Sequence, residues 1–343
     1  MGDMDYKRWM CYEPHKLVLE TSKLDPIDEN QILIKVEYCG ICHSDIHIID
    51  GEWNSRLNIR YPITPGHEVI GKVIDKGKNV VGVDIGDVVG IPWVHSSCLV
   101  CENCLSSNEQ FCEQRKITGI DYIGGYSQYC VLNKEFAVPV NKLVNIERWG
   151  LEEIAPLYCA GLTTYTALKK LNVNPMMRVV IVGFGGLGHM AVQYSKIFGC
   201  HTIVLSSDPS KKKLAEKIGA DEFITYENLD TINKVDVILS TLPNSEIVMK
   251  LITKLRPYGK ICFVGAHMNQ IPFQPIQLIS KNLVLTGNAV GSRMDLIETL
   301  KISITKNIKP IVEVYEYQDL PIALDIVRSG KARLRAVLKV TSN

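Results

Sequence analysis

The stretch Val179-Val180-Ile181-Val182-Gly183-Phe184-Gly185-Gly186-Leu187-Gly188 runs an apolar β-branched segment directly into glycines spaced GxGxxG. Such a segment suits a buried strand, and the three spaced glycines allow a tight turn, a close backbone approach to a pyrophosphate and close helix–sheet packing. The helix that opens here turns its N-terminus toward the anion. A lone GxGxxG is a weak signal, but this one sits in a series. Strand-like 178–182 is followed by helical 187–198, 202–205 by 210–218, 235–240 by 245–255, and then comes 260–264. Strands alternating with helices imply βαβ units and a parallel sheet, and hence an α/β protein. Beyond a further strand at 283–286, helical 294–305 and strand-like 311–317 leave the series, and the chain is expected to return to its first domain.

That first domain has a different texture. Between about 30 and 140, β-branched runs such as 32–38, 69–74 and 88–91 are broken by glycines, the pattern of short strands joined by turns. Two kinds of metal-ligand pattern lie in and beside it. Cys42-His43-Ser44-Asp45-Ile46-His47, Gly66-His67-Glu68 and Cys159 read as a dispersed set of zinc ligands. Two thiolates and one imidazole leave a fourth position open, which suits a catalytic metal. Cys98-x2-Cys101-x2-Cys104-x7-Cys112, within a lobe at about 95–113, has spacings that let four sulfurs converge on one structural zinc. Two zinc ions per chain are expected.

A disulfide framework competes with that interpretation of the cysteines. The first residues, Met1-Gly2-Asp3-Met4-Asp5-Tyr6-Lys7-Arg8, carry no apolar signal region, so a reducing, cytoplasmic setting is expected. Cys11, Cys39, Cys130, Cys200 and Cys262 are then packing residues. Cys39 forms Cys-x2-Cys with Cys42 but has no second pair nearby to complete a four-sulfur site. The 343 residues suggest two domains; 46% hydrophobic content without a membrane-length apolar run argues against a spanning segment. A net charge of +1, from 38 basic and 37 acidic residues, removes the general electrostatic case for nucleic acid.

The end of the second strand bears on which dinucleotide binds. An acidic residue there accepts hydrogen bonds from the ribose 2′-hydroxyl and repels a 2′-phosphate. This chain has Ser206 at that place, with Ser207 and Lys211 able to hold a phosphate, which favours NADP(H) over NAD(H). Asp208, two residues on, either reaches the ribose or caps the helix that follows.

With both zinc patterns and the dinucleotide turn in hand, the chain closely resembles the zinc-containing medium-chain alcohol dehydrogenases, leaning toward their cinnamyl alcohol dehydrogenase-like and microbial alcohol dehydrogenase branches. The resemblance runs nearly end to end. It rests on Cys39-Gly40-Ile41-Cys42-His43-Ser44-Asp45, Pro65-Gly66-His67-Glu68, the four-cysteine lobe, Cys159-Ala160-Gly161-Leu162-Thr163-Thr164-Tyr165, the glycine turn and Gly330-Lys331-Ala332-Arg333. It implies a mostly β GroES-like catalytic domain over 1–159 and 289–343, and a Rossmann domain over 160–288.

By the same resemblance Cys42, His67 and Cys159 match the catalytic zinc ligands, and Glu68 the exchangeable acid beside the metal. Asp45 matches the carboxylate that orients the ligand histidine. Ser44 and His47 match a proton relay; His43, Thr163 and Arg293 match cofactor contacts beside Gly183, Gly185, Gly186, Leu187 and Gly188. Trp53 and Trp93 match the substrate pocket and favour primary alcohols or aldehydes with flat or slender tails; core packing is their alternative role. Leu334 and Tyr158 depart from the usual pattern, which touches packing and substrate shape. The resemblance implies a small-molecule alcohol or aldehyde as substrate, no nucleic-acid or membrane partner, and a homodimer or homotetramer. A polyol or sugar dehydrogenase would show more polar pocket residues than two tryptophans. A non-enzymatic zinc-stabilised interaction module would leave the open three-ligand site and the glycine turn without a purpose.

Overall fold

Ile32, Ile34 and Val36 have no exposed surface, and they lie in the strand on which the first unit is built. The computed structural model describes residues 4–242, 245–266 and 270–341. The chain forms two compact units, Met1–Cys159 with Gly291–Asn343, and Ala160–Val290. The first begins with an antiparallel hairpin, β1 (Asp5–Glu13) and β2 (Lys16–Lys23), turning through His15 at φ +65°. There follow β3 (Gln31–Gly40), helix α1 (His43–Ile49), β4 (Glu68–Lys76), β5 (Val88–Ile91), the small pair β6 (Val94–Ser96) and β7 (Lys116–Ile117), and β8 (Tyr129–Asn133).

The second unit opens with α2 (Ala160–Lys170) and continues with β9 (Arg178–Val182), α3 (Gly188–Ile197), β10 (His201–Ser206), β11 (Glu222–Thr225), β12 (Val235–Ser240), α4 (Ser245–Ile252), β13 (Leu255–Phe263) and β14 (Val284–Gly287). Its sheet has the order β11-β10-β9-β12-β13-β14 with every pairing parallel, the doubly wound arrangement. Val179 to Val182 are fully buried at its centre, because parallel strands are covered on both faces. Val180, Ile203, Ile238 and Ile261 pack with Val248 and Leu251 of α4 in a single core.

The chain then re-enters the first unit as α5 (Arg293–Lys306), β15 (Val312–Glu316), α6 (Leu320–Arg328) and β16 (Arg335–Lys339). The sheet there runs β15-β16-β3-β4-β5, with β8 also on β3. Only β15 and β16 pair in parallel. The hairpin β1–β2, α1 and α6 have no counterpart among the elements expected from sequence. Cys11, Cys39, Cys130, Cys200 and Cys262 are all buried and free. Burial pushes the thiols of Cys11 and Cys262 up to about 11 and about 12, as suits inert packing residues. Among the described residues no helix is long and apolar enough to cross a membrane.

Candidate active site and metal centres

Strand β3 ends at Gly40, and two residues later Cys42 stands at the N-cap of α1. The Cys42 N–H donates to Asp45 Oδ2 at 3.0 Å, so the first turn of α1 and its cysteine are fixed together. The other carboxylate oxygen of Asp45 accepts from the Gly66 N–H at 3.1 Å and from His67 Nδ1 at 2.8 Å. A carboxylate only accepts, so Nδ1 carries the proton and Nε2 presents its lone pair. Nε2 is buried without a hydrogen-bond partner. Ligand atoms of Cys42, His67, Glu68 and Cys159 all lie within 4.8 Å of one another, and all four residues are buried.

The electrostatics fit a cation. Burial works against a charged His67, yet the charge and hydrogen bond of Asp45, with the charge of Cys42, push its imidazole up to about 10. The Cys159 thiol, the Arg335 guanidinium and His67 pull Cys42 well below its usual range against the penalty of burial. A buried nest that draws in a proton in this way accepts a divalent metal in its place.

Glu68 is fully buried at the start of β4, where it pairs across to Gly40. A side chain at Gly40 would collide with the Glu68 carboxylate, so glycine is required there. Arg335, at the start of β16, meets it with Nε 3.1 Å from Oε2 and with a second guanidinium nitrogen on Oε1. Tyr158, preceding the third thiol, is core: its hydroxyl accepts from the Gly90 N–H at 3.2 Å, and Gly90 leaves room for its ring. Leu334 is likewise buried.

A hydroxyl, an imidazole and two tryptophans adjoin these groups. Ser44 Oγ lies 3.7 Å from Cys42 Sγ, and His47 Nδ1 lies 2.5 Å from Glu52 Oε2. The His47 ring stacks on Trp53 with centroids 4.8 Å apart; Trp53 meets Trp93 edge-on at 6.3 Å, and Trp93 meets His67 edge-on at 4.9 Å. His43 is exposed one turn from His47, at 5.7 Å.

The sulfurs of Cys98, Cys101, Cys104 and Cys112 also gather within 4.8 Å. Backbone N–H groups of Val100 and Cys101 bring the Cys98 thiol down to about 6, poised as a thiolate ligand. Nearby Arg293 makes contacts within its own unit. Its Nε contacts Glu109 at 2.8 Å, another nitrogen donates to the Glu135 carbonyl at 2.7 Å, and the group lies over the Phe136 ring.

In the second unit Gly183 has φ +94°, and a side chain at Gly188 would strike the Gly183 carbonyl where α3 meets β9. A Cβ at Gly185 would meet nothing within 4 Å, so open space faces the turn where a ligand backbone can approach. Gly186 and Leu187 complete the turn into α3. Ser206 ends β10 with its Oγ accepting from the Asp208 N–H at 3.3 Å, and Ser207 is exposed. Asp208 is used as a cap: its carboxylate accepts from the Ser210 N–H at 3.0 Å and the Ser210 hydroxyl at 2.6 Å. Lys211 Nζ reaches back to the Phe184 carbonyl at 3.4 Å, beside the glycine turn. Thr163 is buried in α2.

Two residues of these constellations carry no motif: Arg335 and Glu52. Arg335 had one visible signal, a lone cation opening the apolar strand Arg335-Ala336-Val337-Leu338, where a buried charge demands a partner.

A parallel dinucleotide sheet with buried thiolate and imidazole donors defines a zinc-dependent oxidoreductase. Residues 28–142 match the alcohol dehydrogenase GroES-like domain and 186–304 the zinc-binding dehydrogenase domain. An alcohol dehydrogenase of Geobacillus stearothermophilus is 32% identical over 92% of this chain and 93% of its own length. A mannitol dehydrogenase of Petroselinum crispum is 34% identical over 92% and 95%. CAD from Helicobacter pylori, solved in complex with NADP(H), superposes with a TM-score of 0.89 at 30% identity over 99% of both chains. The chain belongs to the zinc-containing medium-chain alcohol dehydrogenase family, and is an NAD(P)-dependent alcohol dehydrogenase or aldehyde reductase.

Proposed function

We propose that the protein interconverts primary aromatic or aliphatic alcohols and their aldehydes with a preference for NADP(H), using one zinc at Cys42, His67 and Cys159 and a second at Cys98, Cys101, Cys104 and Cys112. The observation that carries this is the partnerless Nε2 of His67, buried against two thiols and a carboxylate with Nδ1 already taken by Asp45. When bound, zinc supplies a Lewis acid toward the substrate oxygen, and the nicotinamide accepts or gives the hydride.

The chain's own residues do the rest. Asp45 holds the His67 tautomer and orientation. Glu68, balanced by Arg335, places a carboxylate beside the open position. Ser44 and His47 pass the alcohol proton outward, with Glu52 as the base that anchors His47. Trp53 and Trp93 give the substrate a flat apolar wall. Gly183, Gly185, Gly186, Leu187 and Gly188 cradle the pyrophosphate, with His43 as a basic neighbour. Ser206, Ser207 and Lys211 receive the 2′-phosphate, and the engagement of Asp208 with Ser210 supports the NADP(H) side of that choice.

A polyol dehydrogenase is the second possibility, favoured by the mannitol dehydrogenase relative. The assembly we propose is a homodimer or homotetramer formed through a second copy at β14. That strand is one of the two edges of the parallel sheet, and Val284, Ile276 and Ile279 around it are exposed. A spectrophotometric panel of aldehydes, alcohols and mannitol with NADPH and NADH in parallel, on protein of measured zinc content, tests the whole. Turnover of aldehydes with NADPH and two zincs per chain is expected; turnover of mannitol alone, or a preference for NADH, defeats the corresponding part.

A further inference from the structure

We infer that Asn288 is a positioning residue for the nicotinamide half of the cofactor, because its carboxamide clamps a left-handed backbone at Val290 to the helix carrying Thr163. This rests on the proposal that the second unit binds NADP(H). Strand β14 ends at Gly287, and the Asn288 N–H still donates to the Phe263 carbonyl of β13 at 3.0 Å, so its backbone continues the sheet. Its side chain is only 9% exposed. Nδ2 donates to the Thr163 carbonyl at 3.0 Å and to the Val290 carbonyl at 2.9 Å, while Oδ1 accepts from Lys170 Nζ at 3.3 Å. Thr163 and Lys170 stand two turns apart along α2. Both donor hydrogens and the acceptor of one amide are thus spent on joining the end of β14 to that helix.

What is held is a strained backbone. Val290 has φ +39°, a conformation that costs a β-branched residue on the order of 1–3 kcal/mol and persists only where neighbours enforce it. Its place in the sheet says what the strain serves. A dinucleotide lies across the carboxyl ends of such strands, with its pyrophosphate at the glycine turn after the central strand. Ser206 at the end of β10 puts the adenosine over the β9–β10–β11 side, so the nicotinamide falls over β12, β13 and β14. Asn288 to Val290 follow β14 directly, and Asn288 ties them to Thr163.

The test separates the two halves of the cofactor in the full-length, zinc-loaded protein. NADPH affinity is measured by nicotinamide fluorescence, and the affinity for adenosine 2′,5′-bisphosphate, which lacks the nicotinamide half, by calorimetry. Asn288→Ala and Asn288→Asp, the latter keeping the acceptor for Lys170 but losing both donor bonds, should each weaken NADPH about tenfold, as loss of two hydrogen bonds implies. Binding of the bisphosphate should stay within about twofold. Val290→Gly, which adopts φ +39° without penalty, should restore NADPH binding in the Asn288→Ala background. Equal weakening of both ligands, no weakening of NADPH, or no restoration by Val290→Gly overturns the inference. If the unmodified protein binds neither ligand, the dinucleotide proposal itself fails, whatever the variants do.

Discussion

Glu68 can sit buried beside the thiols because Gly40 yields the space and Arg335 supplies the countercharge. A buried ion pair is expensive to make and more expensive to break, since removing one partner strands the other in a medium of low dielectric. Arg335→Met should therefore lower the free energy of unfolding by about 3–5 kcal/mol in urea titrations. Adding Glu68→Gln should recover part of that loss; an unchanged unfolding midpoint for Arg335→Met would show the pair to be solvated. His47 and Glu52 call for a kinetic measurement. His47→Ala should slow turnover about a hundredfold and distort its pH profile while zinc content stays constant, because a relay group moves protons without holding metal. Glu52→Gln should act in the same direction and more weakly. Loss of zinc in either variant would assign that residue to the metal.

At the level of elements, the proposed cofactor preference rests on the end of β10. The Asp208 carboxylate is held at the start of the following turn by Ser210, which on the proposed reading leaves Ser206 to face the ribose. Ser206→Asp should shift relative efficiency toward NAD(H) by roughly ten- to a hundredfold, the worth of one charged hydrogen bond gained and one phosphate repelled. Asp208→Ala should cost only the cap, about 1 kcal/mol of stability, and leave the cofactor ratio alone. A drop in NADH use with Asp208→Ala would return the ribose role to Asp208. The four-cysteine lobe is equally local. Cys101→Ala should remove one of two zincs by metal analysis, leaving the one held by Cys42, His67 and Cys159.

For the molecule as a whole, acid stability follows from two histidines buried in different units. Burial lowers both His95 and His189 from near 6.5 to about 4, against a backbone hydrogen bond at Val131 and the charge of Asp121 for the first and backbone hydrogen bonds at Gly185 and Gly186 for the second. The unfolded chain therefore binds these protons more readily than the folded one. Their contribution is fully present above about pH 6.5 and is lost as the pH falls toward 4, at about 3 kcal/mol for each. The thermal midpoint should drop steeply across that window, and His95→Phe should flatten the drop; a profile unchanged by that variant would mean the imidazole is already charged. Assembly is tested at this scale too. Val284→Lys should lower the mass seen by light scattering to that of a monomer if the β14 edge is the interface.

Alternation of strands and helices, the glycine turn and the closely spaced cysteines are local patterns, and they made the parallel sheet, the dinucleotide turn and the four-sulfur cluster legible from residue order alone. A turn or a short ligand loop is specified within a few residues of itself. Cys42, His67 and Cys159 are far apart along the chain, and residue order named them as donors of the right chemistry without showing how they meet. It is the pairing of β3 with β4 and the return through Cys159 that gathers them within 4.8 Å. Arg335 against Glu68, Glu52 against His47, and Asn288 against Thr163 and Val290 were not legible. Each is a contact between groups whose neighbours in sequence say nothing of it. Arg293 met Glu109 for the same reason. A polar side chain has several partners of equal chemistry, and only strand register and helix placement determine which one it reaches.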